Sequence, residues 1–174
     1  PVDRRQRQMC IRDSIDAAVI GSSLDNYAAC PNDTLNLYIR FKNMGSATLT
    51  SLDLYYVNGG STFGPVSWSG SLAQNSVDSV LIPNLAVPQT PQVTLTTYCK
   101  NPNGGADQIP QNDTLKSHLV NALSGTYTIG SNGKDYTDFS AAVADLIVRG
   151  VCGPVIFEAE SGSYNEQFII PNIS

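Results

Sequence analysis

The stretch TLNLYIRFKN, residues 34–43, indicates the fold class of this chain. Apolar and polar side chains alternate along it. One side carries Leu35, Leu37, Ile39 and Phe41, and the other carries Asn36, Tyr38, Arg40 and Lys42. Successive side chains of a β-strand lie on opposite faces, so the pattern predicts a strand with one face in a core and the other in water.

Six more segments of strand character lie between Asp16 and Ala122. They read AAVIGS, SLDLYYVN, GPVSWSG, SVDSVLI, QVTLTTYCK and TLKSHLV. Turn-forming residues, rather than helices, separate the segments, and strands joined by short turns pair antiparallel. Seven short antiparallel strands in a segment of this length predict an immunoglobulin-like β-sandwich over residues 15–122.

Three parts of this segment carry a more specific pattern: DTLNLYIRFKNMGSATLTSLDLYYVNGG, GPVSWSGSLAQNSVDSVLIPNL and NPNGGADQIPQNDTL. A strand ends in an Asn-x-Gly turn, a Leu and a Ser precede the fifth strand, and an Asp/Asn-rich hairpin precedes the last one. This pattern resembles the bacterial adhesion-related immunoglobulin-like domain of the CARDB type. The resemblance implies that the domain acts as a spacer or in adhesion, and not as an enzyme.

A different pattern follows the polar hinge NALSGTYTIG, residues 121–130. We predict an amphipathic helix that begins with Thr137 as its N-cap and ends at Gly150. Its apolar face would consist of Phe139, Ala142, Val143, Leu146 and Ile147, which follow helical spacing. Short apolar segments, GPVIFEAE and YNEQFIIPNI, come next and are joined by the turn SGS.

These last fifty residues resemble the start of a pectin-lyase-like right-handed parallel β-helix. The resemblance rests on GTYTIGSNGKDYTDFSAAVADL and GPVIFEAESGSYNEQFII, in which helix, strand, Gly162, Tyr164 and Glu166 occur in the family's order. It implies that residues 125–174 are the N-terminal cap and first coil. The family's catalytic Asp, Arg and Lys groups lie on later coils, so the resemblance assigns no catalytic residue here.

The stretch GSNGKD, residues 130–135, has the glycines and the lysine of a phosphate-binding loop. A nucleotide P-loop requires Ser or Thr after the lysine to bind magnesium, but Asp135 follows Lys134. The two glycines do not form the Gly-x-Gly-x-x-Gly pattern of a dinucleotide fold either. We therefore predict neither a nucleotide site nor another cofactor.

Oxygen-bearing side chains concentrate in NPNGGADQIPQND, before the last sandwich strand. Asp107, Asn112 and Asp113 are candidates for a calcium site, since hard cations prefer such ligands. Asp and Asn also close turns by bonding their own backbone, and we favour that interpretation because the spacing of a known calcium loop is missing. His118 alternates out of phase with Leu115 and Leu119, which predicts a surface position.

Three carboxylates in the last segment, Glu158, Glu160 and Glu166, suggest a pair for acid–base catalysis. Glu158 and Glu160 fall on the predicted solvent side of one strand. Glu166 belongs to the turn pattern, where bonding to the backbone is a sufficient role. We therefore predict no catalytic residue in this chain.

The opening stretch PVDRRQRQMCIRDS, residues 1–14, is basic and has no periodicity. It resembles translated sequencing-adapter sequence and is left out of the fold prediction, with a disordered basic arm as the alternative. Without its four arginines and two aspartates, the remainder has 6 basic and 13 acidic side chains, a net charge of -7 against -5 for the whole. An acidic surface does not favour nucleic acid, and no apolar run is long enough to span a membrane.

Three cysteines remain once Cys10 is set aside with that stretch. Cys30 precedes the second predicted strand and Cys99 ends the sixth, so they would lie roughly 25 Å apart, beyond the ~7 Å between Cα atoms that a disulfide requires. We predict no bond between them. Cys30, Cys99 and Cys152 leave an odd count, which allows a partner outside the chain given.

Low charge and many Ser, Thr, Asn and Gly residues are typical of secreted β-proteins, and both ends of the chain suggest a fragment. Two functions remain open. The first is a non-enzymatic, exported bacterial surface module that contacts extracellular polysaccharide or other surface proteins. The second is the N-terminal part of a polysaccharide lyase or esterase whose catalytic coils would follow Ser174.

Overall fold

The computed structural model describes residues 14–89, 92–131 and 133–172. The predicted non-native segment, residues 1–14, lies outside this part of the chain except for Ser14. The chain is mainly β and forms two compact units. The first unit contains the described residues within 1–26, 34–85 and 93–119, and the second those within 27–33, 86–92 and 120–174.

Ten strands and one α-helix are described. In order along the chain they are β1 (Ala17–Ser22), β2 (Tyr27–Ala29), β3 (Thr34–Asn43), β4 (Leu49–Asn58), β5 (Ser61–Leu72), β6 (Val77–Ala86), β7 (Gln92–Lys100), β8 (Thr114–Asn121), β9 (Leu123–Ile129), α1 (Phe139–Arg149) and β10 (Val151–Ala159). The sheets have the orders β1-β3-β6, β2-β8-β7-β4-β5 and β10-β9.

All seven sandwich strands predicted from the sequence are present, with boundaries within a few residues of those expected. β1 pairs antiparallel with β3, and β4 pairs antiparallel with both β5 and β7. The alternation predicted for β3 is confirmed, because Leu37, Ile39 and Phe41 are fully buried. Leu35, at the beginning of the strand, is only half-buried. Strand β2 was not predicted, since three residues are too few to show a period.

Aromatic and aliphatic side chains fill the core between the two sheets of the first unit. Phe41 of β3 contacts the edge of Trp68 of β5, with ring centroids 5.2 Å apart and planes at 70°. This edge-to-face contact joins one strand from each sheet. Leu52 and Leu54 of β4 are buried beside it, on the side of the strand opposite Tyr55. The core of the first unit therefore lies where the alternation of the strands placed it.

A buried amide completes this core at the end of β3. Asn43 is 1% exposed, and its Nδ2 donates to the carbonyl oxygens of Ala47 and Leu72, each at 2.8 Å. Buried backbone carbonyls need a donor, and here one side chain serves two of them. Asn43 thus holds the turn after β3 and the end of β5.

The second unit contains a parallel pair of strands joined through a helix. β9 and β10 pair in parallel, with Gly125 to Ile129 opposite Val155 to Ala159. Asp138, not Thr137, is the N-cap of α1, and its Oδ1 accepts from the backbone N–H of Ala141 at 2.7 Å. Both residue types cap helices, so spacing alone did not distinguish them. No helix of the described residues is long and apolar enough to cross a membrane.

One part of the predicted apolar face of α1 is wrong. Ala142, Val143 and Leu146 are buried, but Ile147 is 49% exposed. Ile147 lies at the margin of the apolar stripe, where a narrow contact surface leaves it in solvent. The parallel pair and the helix do not by themselves make a parallel β-helix.

Candidate functional site

Cys30 and Cys152 form a disulfide within the second unit. Their Cα atoms are 5.5 Å apart, and 122 positions separate them in the sequence. Cys30 follows β2 and Cys152 lies in β10, so the bond links a short early segment to the helix-and-strand segment. The sequence did not identify this pair, because nothing local relates two cysteines so far apart.

Cys99 is a free, buried thiol in β7, and Cys30 is bonded to Cys152, so the prediction of no bond between Cys30 and Cys99 is confirmed. Its Sγ donates to the carbonyl oxygen of Ala17 at 3.2 Å. Burial, together with the nearby carboxylates of Asp113 and Asp107, raises the pKa of the thiol well above its usual range. A protonated, inaccessible thiol is a structural residue rather than a nucleophile.

The calcium candidates lie together at the loop between β7 and β8, and Asp107 there has a turn-closing role. Its Oδ1 accepts from the backbone N–H of Ile109, and its Oδ2 accepts from Ala17, both at 2.8 Å. The first bond is the local turn that the sequence favoured. The second reaches a strand ninety residues earlier and was not foreseen.

Asn112 and Asp113 differ from Asp107 in their surroundings. Asn112 Nδ2 donates to Asp16 Oδ1 at 3.0 Å, while its own Oδ1 is buried without a hydrogen bond. Asp113 is 9% exposed, and its Oδ1 also has no hydrogen-bond partner. Burial, followed by the charges of Asp107 and Asp16, raises the pKa of Asp113 to about 6. Among the residues that the structure describes, no group of three or more His, Cys, Asp or Glu side chains is arranged to hold a metal ion.

The donors of the glycine–lysine loop are bound by the chain's own carboxylates. Glu160 accepts from the backbone N–H and the hydroxyl of Ser131, at 3.0 and 3.1 Å, and pairs with Lys134 at 3.3 Å. Asp135 accepts from the N–H and hydroxyl of Thr128. These bonds hold the pKa of both carboxyls below their usual values, with the Ser131 N–H the largest cause for Glu160 and the Thr128 N–H for Asp135.

Glu166 lies at the N-terminus of α1. It accepts from the backbone N–H groups of Phe139 at 3.1 Å and Ser140 at 2.7 Å. These groups belong to the first turn, which has no internal partners, and the helix dipole favours a negative charge there. Hydrogen bonds from Ser140, and then from Phe139, lower the pKa of Glu166. Tyr164, two residues earlier, contacts Phe139 edge-on, with ring centroids 5.0 Å apart.

Glu158 and His118 are exposed. Glu158 lies in β10, opposite Thr128 of β9, and its side chain is exposed. His118 lies on the solvent side of β8, as predicted, and its backbone N–H donates to Asp25 at 3.2 Å.

A polar network that the sequence did not indicate supports α1. Asp145 Oδ2 accepts from the Tyr136 hydroxyl at 2.6 Å and from Arg149 at 3.0 Å. Arg149 Nε also donates to the carbonyl of Asn121 at 2.6 Å. Burial, and then Asp145, raises the pKa of Tyr136. The spacing of Asp145 and Arg149 by four residues was a usable signal for part of this network.

The solved structures that resemble the chain in fold include two from archaea. The CARDB domain of a Pyrococcus furiosus protein, solved in complex with di-metal ions, is 14% identical, with a TM-score of 0.51 over 64% of this chain and 97% of that one. A domain of a Methanosarcina acetivorans protein, assigned as a cell surface protein, is 16% identical, with a TM-score of 0.52 over 63% and 94%. No protein-family model and no curated protein matches the chain.

These similarities show the fold class of the matched part of the chain, which is an immunoglobulin-like β-sandwich. More particularly, the sandwich has the fold of CARDB domains, as the turn pattern of residues 15–122 suggested. At such low identity the likeness concerns the fold alone.

Proposed function

We propose that this chain is a non-enzymatic module of an exported or cell-surface protein, in which an immunoglobulin-like sandwich precedes the opening of a parallel β-helix. The sandwich would act as a spacer or as an adhesion domain. The β-helix segment would present a surface to extracellular polysaccharide or to other surface proteins.

The observation that most supports a non-enzymatic role is the hydrogen bonding of the carboxylates in the last segment. A general acid needs a pKa raised toward the working pH. Glu160 and Glu166 instead accept hydrogen bonds from backbone N–H groups, which lower their pKa. Their oxygens are thus engaged in holding the backbone of Ser131 and of the first turn of α1, which is a structural role, and Glu158 is exposed on β10.

Two further observations support an exported module. Disulfides persist in oxidising compartments and are rare in the cytosol, and Cys30 and Cys152 are bonded. The fold neighbours include a domain of a protein assigned as a cell surface protein. Both the disulfide and the cell-surface neighbour are expected for a protein that is exported from the cytoplasm.

The β-helix part of the proposal rests on two features of the second unit. β9 and β10 are parallel and are connected through α1, which is the order of helix and strand that the resemblance to a parallel β-helix implies. Glu166 and Tyr164, two residues of the turn on which the resemblance rests, both contact the N-terminal end of α1. The turn therefore packs against the helix, as a cap and first coil would require.

Activity on polysaccharides distinguishes the module from the enzyme. The purified chain is incubated with pectin and with polygalacturonate, and unsaturated uronides, new reducing ends and released methanol are measured. We expect no product above the rate without protein. Product formation that Glu160→Gln abolishes while the fold is retained would show that the chain is enzymatic.

A further inference from the structure

The five-stranded sheet carries an aromatic pair on the side that faces away from the core. In β4 the buried Leu52 and Leu54 alternate with Tyr55, and in β7 buried side chains alternate with Tyr98 and Lys100. Tyr55 and Tyr98 are opposite each other in the register of the two strands, and neither is fully buried. Their rings are stacked, with centroids 5.1 Å apart and planes at 6°.

A lysine side chain lies against both rings. Lys100 Nζ is 5.3 Å from the ring centroid of Tyr98 and 5.7 Å from that of Tyr55. An ammonium group is attracted to the negative face of an aromatic ring, although the attraction is weak at an exposed site. We name Tyr55, Tyr98 and Lys100 the tyrosine platform. It combines apolar ring surface with a positive charge.

Lys100 is not paired with the carboxylate opposite it in the sheet. Asp53 is its register partner, and cross-strand neighbours of opposite charge commonly attract each other. Asp53 instead accepts from the hydroxyl of Ser67 at 2.8 Å and from Asn101 Nδ2 at 3.0 Å. Lys100 takes part in none of the ion pairs between residues that the structure describes. Its ammonium group is therefore available to an anion from outside the chain.

The ring of Tyr55 is held in place from the neighbouring strand. Gly64 of β5 packs so closely that a Cβ atom there would lie 2.9 Å from Tyr55 Cδ1 and 2.8 Å from the Leu54 carbonyl oxygen. Tyr55 is thus fixed between β5 and Tyr98, and it supports the Tyr98 ring in turn. A ring that is ordered before binding loses less conformational freedom when a ligand stacks on it.

The position of the tyrosine platform restricts the kind of ligand. β4 and β7 are interior strands of the order β2-β8-β7-β4-β5, so an extended peptide has no free strand edge to pair with there. The net charge of -5 opposes docking of a second copy of the chain. A pyranose ring fits better, because its C–H groups can face the negative side of an aromatic ring while its hydroxyls remain in water.

We propose that the tyrosine platform binds uronate residues of an extracellular polysaccharide, with a pyranose ring stacked on Tyr98 and its carboxylate at Lys100. The inference rests on the proposed function, since it assigns the adhesion role of the sandwich to one face of one sheet. A hydrogen bond between an ammonium group and a carboxylate is stronger than one between neutral groups. The platform therefore prefers acidic polysaccharides to neutral ones.

Affinity electrophoresis tests this preference, with polygalacturonate and alginate as acidic polymers and dextran as the neutral one. We expect the wild type to be retarded by an acidic polymer and not by dextran. Tyr98→Thr, which keeps a residue that favours strands, should lower the affinity on the order of tenfold. Lys100→Gln should lower it by a similar factor and remove most of its salt dependence. Circular dichroism verifies that each variant is folded.

Tyr38→Thr and Lys42→Gln are the matched controls, since both positions are on β3 of the other sheet, on the side away from its buried residues. Both variants should bind as the wild type does. The proposal is overturned if neither acidic polymer binds, if Tyr98→Thr binds as tightly as the wild type, or if Lys42→Gln loses as much affinity as Lys100→Gln. Dimerisation that Tyr98→Thr abolishes would also overturn it, because the platform would then bind a second copy.

A titration of the wild type followed by amide NMR requires no variant. Oligomers of galacturonate and of alginate are the probes. Shift changes centred on Tyr55, Tyr98 and Lys100 are expected. Changes confined to the second unit would overturn the platform but leave the proposed function standing, because the β-helix segment would then bind the polysaccharide.

Discussion

Cys30 and Cys152 are covalently joined across 122 residues of sequence, and their bond lies within one compact unit. Cross-linking so long a loop restricts the unfolded chain and stabilises the folded one by about 4–5 kcal/mol on loop-entropy grounds. We expect the Cys30→Ser/Cys152→Ser variant to lose stability of this order in urea denaturation. Reductant should destabilise the wild type to a similar level and leave the double variant unchanged. An equal effect of reductant on both proteins would contradict the assignment.

Asn43 should be among the most sensitive polar positions of the sandwich. Its Nδ2 is the donor for two carbonyls, the part-buried one of Ala47 and the buried one of Leu72. Asn43→Ala leaves both without this donor, and we expect a loss of about 2–3 kcal/mol in the free energy of unfolding. Asn36→Ala, on the exposed side of the same strand, should change it by less than about 0.5 kcal/mol. Equal effects would show that the amide is dispensable.

Position 45 requires glycine because the surrounding backbone leaves no space for a Cβ atom. A Cβ atom there would lie 2.7 Å from the Ser14 carbonyl oxygen and 2.8 Å from the Asp16 backbone nitrogen, both too close for real contacts. Gly45→Ala must displace the backbone of Ser14 and Asp16, so we expect the free energy of unfolding to fall by about 2 kcal/mol or more in urea denaturation. Gly105→Ala is the control, because its Cβ would meet other atoms no closer than 3.7 Å. A tolerated Gly45→Ala would mean that the turn relaxes freely.

The anchor at the N-terminus of α1 should depend on pH. Hydrogen bonds from Ser140 and Phe139 lower the pKa of Glu166, so its contribution is present above the unfolded value of 4.5 and is lost as the pH falls through the folded value. Glu166→Gln should remove the charge-dependent part of this contribution and flatten the acid limb of the stability curve. Glu158→Gln, at an exposed position, should leave that limb as in the wild type. Helix-specific exchange of the Ser140 amide provides the readout.

Much of the sandwich could be predicted from the sequence because alternation is a local property. In β3, the period of two alone identifies Leu37, Ile39 and Phe41 as core. Strand β2 could not be predicted, since its three residues carry no period. Ile147 was placed in the core because helical spacing marks an apolar stripe but not the width of the surface that covers it.

The candidate site was predictable only in its local part. The turn bond of Asp107 to Ile109 follows from the preference of aspartate for its own backbone. The bond of Asp107 to Ala17 and the pairing of Cys30 with Cys152 depend on which distant segments the fold brings together. Glu166 was expected to bond backbone, but the helix N-terminus as its partner emerged only from the tertiary structure.

The central claim is that the chain works outside the cytoplasm as a disulfide-closed, non-catalytic module. It is tested most directly by labelling intact source cells with a membrane-impermeant biotin reagent and mapping the peptides of the recovered protein without reduction. We predict that the protein is in the labelled fraction and yields a peptide pair linked through Cys30 and Cys152. Recovery only from the unlabelled fraction, with both cysteines as free thiols, would contradict the claim.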